Sequence, residues 1–569
     1  MKRKLSGLFS LLLASSFFLS ACSEEAANPS QTQPQAEVAS MKSNKDEVIP
    51  ATDKTKIPDA AKNRKDTFVA GISAPEGIFN PYFYNNGWDG NVTSVMFASL
   101  IDVDESGKPL PSLAEKWEVS NDQLTYTFHL RKGLTFSDGS PLTAEDVAFT
   151  LTILHDKSND GTVVDISQAH IKGGQAYKEG KATSIEGIKV IDPQTIQITT
   201  EQVNARNLLL LGGPVLSKAY YGKGYVQGNL DYLKSLHGKP LGAGPYVFDK
   251  FIPGQEVRFH ANDKFYAGKP KIEHFIYRIT DKDTNFQLFQ AGEVDYDGFA
   301  ANGESLEQLK SLGFADIDVV TAPVYSYIEF NHKKPYFKDK RVRQALIYGL
   351  NRKQIIDTFY QGYGEVANVP TPPTSWAFND EGINKYEYNL DKAKQLLDEA
   401  GWKVGADGNR EKDGQKLKIS YLGRKGKIDD VLIPIAKENY KELGIDLEAE
   451  YMDFNAVLAK RKAGDYDLAA FSTPGLVDPA EGVEDFVSTR NEVGYSNPKI
   501  DQLYDQTVNT LDLEKRKASF KELFKEANDD PPYILLNYRK SMLAYSARIK
   551  GFDPQLGLIL SLPHLTIEN

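Results

Sequence analysis

The chain has few residues in patterns that perform covalent chemistry. Its eight histidines are dispersed, with no pair at i, i+4 and no H-E-x-x-H helix that would hold zinc. No G-x-S-x-G elbow exposes a serine nucleophile, and no G-x-G-x-x-G turn is present to cradle a dinucleotide. Gly174 to Lys181 has the outline of a phosphate loop, but five residues separate its glycines and no Ser or Thr follows the lysine. Asp102-Val103-Asp104-Glu105-Ser106-Gly107 opens like a calcium loop. Its twelfth position is Leu113, where a bidentate Glu must stand, so it reads as an acidic turn. Asp478 to Asp485 gathers carboxylates that could pair for acid–base work. With 78 acids in the chain, a solvated surface is the plainer reading. These residues predict no enzyme, no metal centre and no cofactor.

The one cysteine among 569 residues excludes a disulfide framework. Lys2, Arg3 and Lys4 precede an apolar run from Leu5 to Leu19, the layout of a secretory signal. The run ends in Leu19-Ser20-Ala21-Cys22, which resembles the bacterial lipobox, where cleavage exposes a cysteine whose thiol carries diacylglycerol. Cys22 is therefore the expected lipidation site, anchoring the chain to the extracytoplasmic face of the cell membrane. Loss of residues 1–21 removes three positive charges and moves the formal charge from -11 to -14. So acidic a chain, with pI near 5.4, is not expected to bind nucleic acid. Between Ser23 and Asp66 there is no Phe, Trp or Tyr, so residues 22–66 are expected to be the lipidated cysteine and a disordered tether.

From Thr67 onward the pattern is that of mixed α/β lobes. Leu124, Tyr126, Phe128 and Leu130 alternate with polar residues as a half-buried strand. Thr143, with Asp146 three residues on, is a reciprocal cap for a helix whose inner face is Val147, Leu151 and Leu154. A short helix is predicted from Asn285 to Gln290 and a strand-like run from Glu293 to Phe299. Asp339 caps a helix facing inward through Val342, Ala345 and Leu346, and Gly401 ends one built on Ala393, Leu396 and Leu397. A last helix carrying Phe520, Leu523 and Phe524 is broken by Asp529-Asp530-Pro531-Pro532. With 29 Tyr, 29 Phe and 4 Trp, the chain has flat amphipathic surface enough for both cores and a ligand cleft.

Pro111 to Glu118, Leu124 to Lys132 and Phe136 to Val147 together resemble the signature of the family 5 solute-binding proteins, the oligopeptide- and dipeptide-binding class of ABC importers. Pro240 to Phe248, Asn262 to Pro270, Phe337 to Leu350, Tyr388 to Trp402 and Asn497 to Tyr504 resemble the same family in order. The resemblance implies a two-lobed periplasmic-binding-protein-like α/β fold with an extra subdomain, about residues 101–185, and a ligand enclosed between lobes. It places a first lobe at 67–280, a second at 281–532 and the return to the first at 533–569. The implied function is an extracytoplasmic lipoprotein that captures oligopeptides and delivers them to ABC permease subunits with cytoplasmic ATPases, as a monomer. A peptide pheromone, a nickel chelate, haem or an oligosaccharide are the alternative ligands.

Site residues follow from the same resemblance. The loop Phe471 to Asp478 falls where peptide-binding relatives place an acid for the ligand's ammonium; Asp478 is the expected anchor and Glu481 its rival. Ser472, Thr473 and Gly475 would offer backbone groups to an extended peptide. In the first lobe, Asn85, Trp88 and Asp89 match a ligand-touching loop. Arg461 falls where the family often places a basic residue near a carboxylate end, and Arg424, Lys425 and Lys427 form a basic cluster near the expected cleft.

Overall fold

Alternation decides the smaller of the two principal sheets. Tyr126, Phe128 and Leu130 point into the core from the strand Thr125–Leu130, while Thr125, Thr127 and His129 are half-buried. That strand lies between Ala114–Val119 and Thr195–Thr199, and Ile188–Asp192 completes an antiparallel sheet of four. The helix Ala144–Leu154 packs on it, entered through the expected reciprocal cap: the Thr143 N–H donates to Asp146 Oδ2 at 2.8 Å. The sheet extends beyond the 101–185 subdomain, and its Tyr126, Phe128, Ile196 and Ile198 share one hydrophobic core with Phe68 and Phe275. The computed structural model describes residues 46–104, 107–473, 475–554 and 556–568. Cys22, the signal and the start of the tether lie outside the described residues.

Among the described residues the larger sheet has twelve strands: β1 (Glu47–Ile49), β2 (Thr67–Ile72), β3 (Tyr246–Ile252), β4 (Glu256–Ala261), β5 (His274–Ile279), β6 (Tyr296–Phe299), β7 (Ala315–Phe330), β8 (Gly364–Val366), β9 (Lys418–Gly423), β10 (Asp446–Tyr451), β11 (Leu468–Ser472) and β12 (Tyr533–Ser546). Their order is β10-β9-β11-β7-β12-β6-β2-β5-β4-β3, with β1 on β7 and β8 on β12. Two hydrophobic bodies flank this sheet. The first contains Phe68, Tyr126, Phe275 and Ile549. The second contains Ile328, Phe330, Leu346, Ile419 and Ile534, with Phe486, Phe520 and Tyr533 in an adjoining cluster. These are the two lobes.

Only β7 and β12, at 16 and 14 residues, are long enough to serve both. At one end β12 pairs with β6; at the other β7 pairs with β11. Between these ends the β7–β12 register slips, first between Thr321 and Tyr325 and again between Ser326 and Tyr327. Pro323 lies in the first slip, where its missing N–H leaves no ladder bond to break. A local bulge of this kind bends a strand and releases pairing.

One expectation changes here. Residues 46–66 are not tether. β1 adds to β7 through Glu47↔Val319 and Ile49↔Ile317, and Asp46 accepts from the Thr321 N–H and Lys540 Nζ, each at 2.8 Å. Ile49 and Ile57 pack beside Phe289 and Leu309. Strand addition needs backbone groups and a little apolar area rather than aromatics, so composition concealed it. β6 lies beside β2, and the Phe289–Val319 cluster covers that end of the sheet.

Candidate functional site

The loop after β11 is built onto the slipped part of β7. Ser472 Oγ and Ser326 Oγ are 2.8 Å apart; the Thr473 N–H donates to the Tyr325 carbonyl at 3.0 Å and the Leu476 N–H to the Pro323 carbonyl at 2.9 Å. Backbone groups left over by the slip thus find partners in the loop. Asp478 then caps the 3-10 helix Pro479–Phe486, accepting from the Ala480 N–H at 2.9 Å. The Asp478 N–H donates back to Glu481 Oε2 at 3.4 Å, closing the reciprocal cap, and the Val477 N–H donates to the same oxygen at 3.1 Å.

Asp478 and Glu481 have different environments. Asp478 is buried, and both of its oxygens accept from Arg516 Nη2 at 2.8 Å. The Arg516 guanidinium in turn lies 4.8 Å over the Trp376 ring. The Asp478 charge is therefore satisfied inside the second lobe, which leaves it poorly placed to hold a ligand ammonium. Glu481 is half-buried and meets Arg206 of the first lobe at 3.4 Å, while Arg206 also reaches Glu484 at 3.1 Å. Burial pushes the Glu481 carboxyl up, against the pull of Arg206.

Glu481 and Val477 form the second-lobe wall of a cavity of about 500 Å³. Its first-lobe wall comes from Tyr82 and Tyr84, from Thr93 and Ser94 on the helix Gly87–Met96, from Ser99, Ile101, Asp102 and Val103 and from the turn at Gly212-Gly213-Pro214. Val163, Val164 and the C-terminal run 556–560 close it with aliphatic side chains. Asp102 projects from the hairpin of Ile101–Val103 and Pro109–Pro111, its carboxyl raised by burial and partly restored by the Ser112 hydroxyl.

The remaining expected residues scatter. Trp88 is 44% exposed in the first turn of its helix, and Asn85 is exposed just before it; neither lines the cavity. Asp89 is fully buried and accepts from the N–H groups of Glu76, Gly77 and Ile78 at 2.8–3.0 Å, so its work is to fold that loop. Arg461 is held by Glu329, Nη2 to Oε2 at 2.8 Å, which keeps the guanidinium charged and occupied. Arg424 donates to the Ala470 carbonyl at 3.2 Å and lies 5.4 Å over the exposed Phe454 ring; Lys427 is exposed nearby. Ser472 and Gly475 are exposed and Thr473 is half-buried. Arg424 and Ser472 do share one feature. They stand at the carboxyl ends of β9 and β11, and β9 lies between β10 and β11, the switch point where open α/β sheets receive ligands.

Sequence reasoning missed Tyr82, Val163, Val164, Arg206 and the 556–560 run. Only the Gly-Gly-Pro turn at 212–214 carried a local signal of close backbone approach.

A cavity between two α/β lobes that share a pair of crossing strands defines a protein that encloses a solute by lobe closure. The match to the family model described as bacterial extracellular solute-binding proteins, family 5 Middle, runs from residue 108 to 494. The chain belongs to that family. It is 28% identical over 499 residues to the oligopeptide-binding protein AppA of Bacillus subtilis (strain 168), covering 86% of this chain and 88% of that one. The solved AppA complex with a nonapeptide superposes with a TM-score of 0.73 at 24% identity, covering 89% and 99% of the two chains. Lactococcal OppA, closed on an endogenous peptide, gives 0.76 at 21% identity, covering 88% and 99%. A third relative is the heme-binding protein A of Haemophilus influenzae, 28% identical over 526 residues, 89% of this chain and 93% of that protein.

Proposed function

We propose that the protein is an oligopeptide receptor that captures its ligand outside the cytoplasm and delivers it to an ABC importer permease. The observation that carries this reading is the cavity of about 500 Å³, walled by both lobes, in a family 5 chain whose relatives include peptide-binding proteins. The size lies within the range of small-ligand sites, ~300–1,000 Å³. The carboxyl ends of β9 and β11, where Arg424 is half-buried and Ser472 exposed, offer further ligand-facing groups. Lobe closure works through β7 and β12: the slips at 321–327 are the hinge, residues 326–536 form the moving second lobe, and the ligand's contacts with both walls favour the closed state. Cys22 carries the lipid that holds the receptor at the membrane, and the protein acts as a monomer without cleaving what it binds.

Equilibrium dialysis against a mixed library of short peptides tests this reading. Intact peptides should be retained at one per chain. Retention of none, or the steady appearance of cleavage products after repurification, contradicts it. The anchor is tested separately: Cys22→Ala should move the protein from the membrane fraction to the soluble one, and unchanged fractionation contradicts that part.

A further inference from the structure

Charge is distributed unevenly around the cavity. Among the described residues its wall holds two carboxylates, Asp102 and Glu481, and no Lys, Arg or His. The rest is mostly aromatic and aliphatic, with Phe97, Ile101, Val103, Leu558 and Ile559 facing the space. Both carboxylates are driven toward the neutral form by burial. The nearest cation in contact, Arg206, is already divided among Glu481, Glu484 and the Gln168 side chain, which it reaches at 3.0 Å.

The two acids belong to adjoining walls. Asp102 sits on the hairpin whose turn contains Gly107, and a side chain at Gly107 would stand 2.2 Å from the Val477 carbonyl oxygen, four residues before Glu481. Gly107 also has φ +81°, so this contact needs glycine twice over: for the backbone conformation and for the close approach. The hairpin therefore rests against the loop that presents Glu481, and a ligand in the cavity lies within the field of both carboxylates.

We infer that the cavity selects peptides by charge and polarity: it takes those that pair a basic side chain with an apolar neighbour and rejects those with an acidic side chain. This rests on the reading of the protein as a peptide receptor. A Lys or Arg side chain relieves two half-buried acids and lays its methylenes along apolar walls. A Glu or Asp side chain adds a third negative charge beside two acids, and no Lys, Arg or His stands in the described wall to offset it.

The test uses the full-length protein and three peptides, Ala-Xaa-Leu-Ala with Xaa as Lys, norleucine or Glu, titrated by calorimetry. The Lys peptide should bind at least tenfold more tightly than the Glu peptide, with norleucine between. Asp102→Asn should cut that ratio at least threefold, while Asp102→Glu should preserve it. Glu481→Gln provides a second, independent reduction at the adjoining wall. Equal affinity for the Lys and Glu peptides, or a ratio unmoved by both neutralising variants, overturns the selectivity and leaves peptide capture standing. Failure of all three peptides and of the mixed library overturns both.

Discussion

Three residues apart, Asp478 and Glu481 show how one turn of chain can commit one acid to the second lobe's interior and leave the other at the cavity wall. Asp478 is committed to Arg516, a residue on the helix Leu513–Asp529 that lies 38 positions further on. Asp478→Asn should leave that guanidinium buried without its counter-ion and destabilise the fold by about 3–5 kcal/mol in denaturant titration. Protein that does fold should bind peptides almost as well as wild type. A stability loss below about 1 kcal/mol would show that the pair is not the constraint described. Asp318 on β7 presents the opposite case: it is fully buried and neither oxygen finds a hydrogen-bond partner among the described residues. Burial, with Asp316 beside it on the strand, pushes its carboxyl from 3.8 up to about 6, and Tyr545 of β12 faces the same two acids. The folded chain thus holds this proton more tightly than the unfolded chain. Its contribution to stability is complete below pH 3.8 and is lost as pH rises through about 6. Asp318→Asn should stabilise the protein at pH 7 by on the order of 2 kcal/mol and give little gain at pH 3.5. A gain that is the same at both pH values contradicts this assignment. The loop that holds Asp478 was legible from resemblance; which of its acids turns inward was not, because Arg516 decides it from far along the chain.

Elements were legible where their signals are local. The Thr143–Asp146 cap and the Asp339 cap both stand where spacing predicted them, since each is settled within four residues. β7 was not legible, because its two halves serve different lobes and a single periodicity does not describe it. The β1 strap was hidden for another reason: it holds through backbone pairing and through Asp46, whose partners Thr321 and Lys540 sit on β7 and β12 at the hinge. Asp46→Ala should raise the amide hydrogen exchange of Thr321 at least tenfold, while exchange in β4 and β5 stays unchanged. Uniform change across the sheet, or none at Thr321, would deny the strap its place at the hinge.

At the scale of the whole molecule, Arg206 is a tie between lobes, since its Glu481 and Glu484 partners stand on the second lobe and it stands on the first. The Ala205 N–H adds a backbone bond to the Val508 carbonyl at 2.7 Å. Arg206→Met should open the ligand-free protein, read as a larger radius of gyration in solution scattering, and should weaken peptide binding by roughly 1–2 kcal/mol, as expected for a partly buried charged bond. An unchanged radius and affinity would reduce the tie to a surface contact. The sequence carried the order of the family's segments across both lobes. The cavity walls at 163–164 and 556–560 were invisible to it, because short aliphatic runs look alike whether they face a core or a ligand. Native mass spectrometry of the purified full-length wild-type protein, incubated with the mixed peptide library, tests the central claim most directly. One intact peptide per chain, released unchanged on unfolding, is expected; a spectrum of bare protein, or of protein beside peptide fragments, would contradict peptide capture.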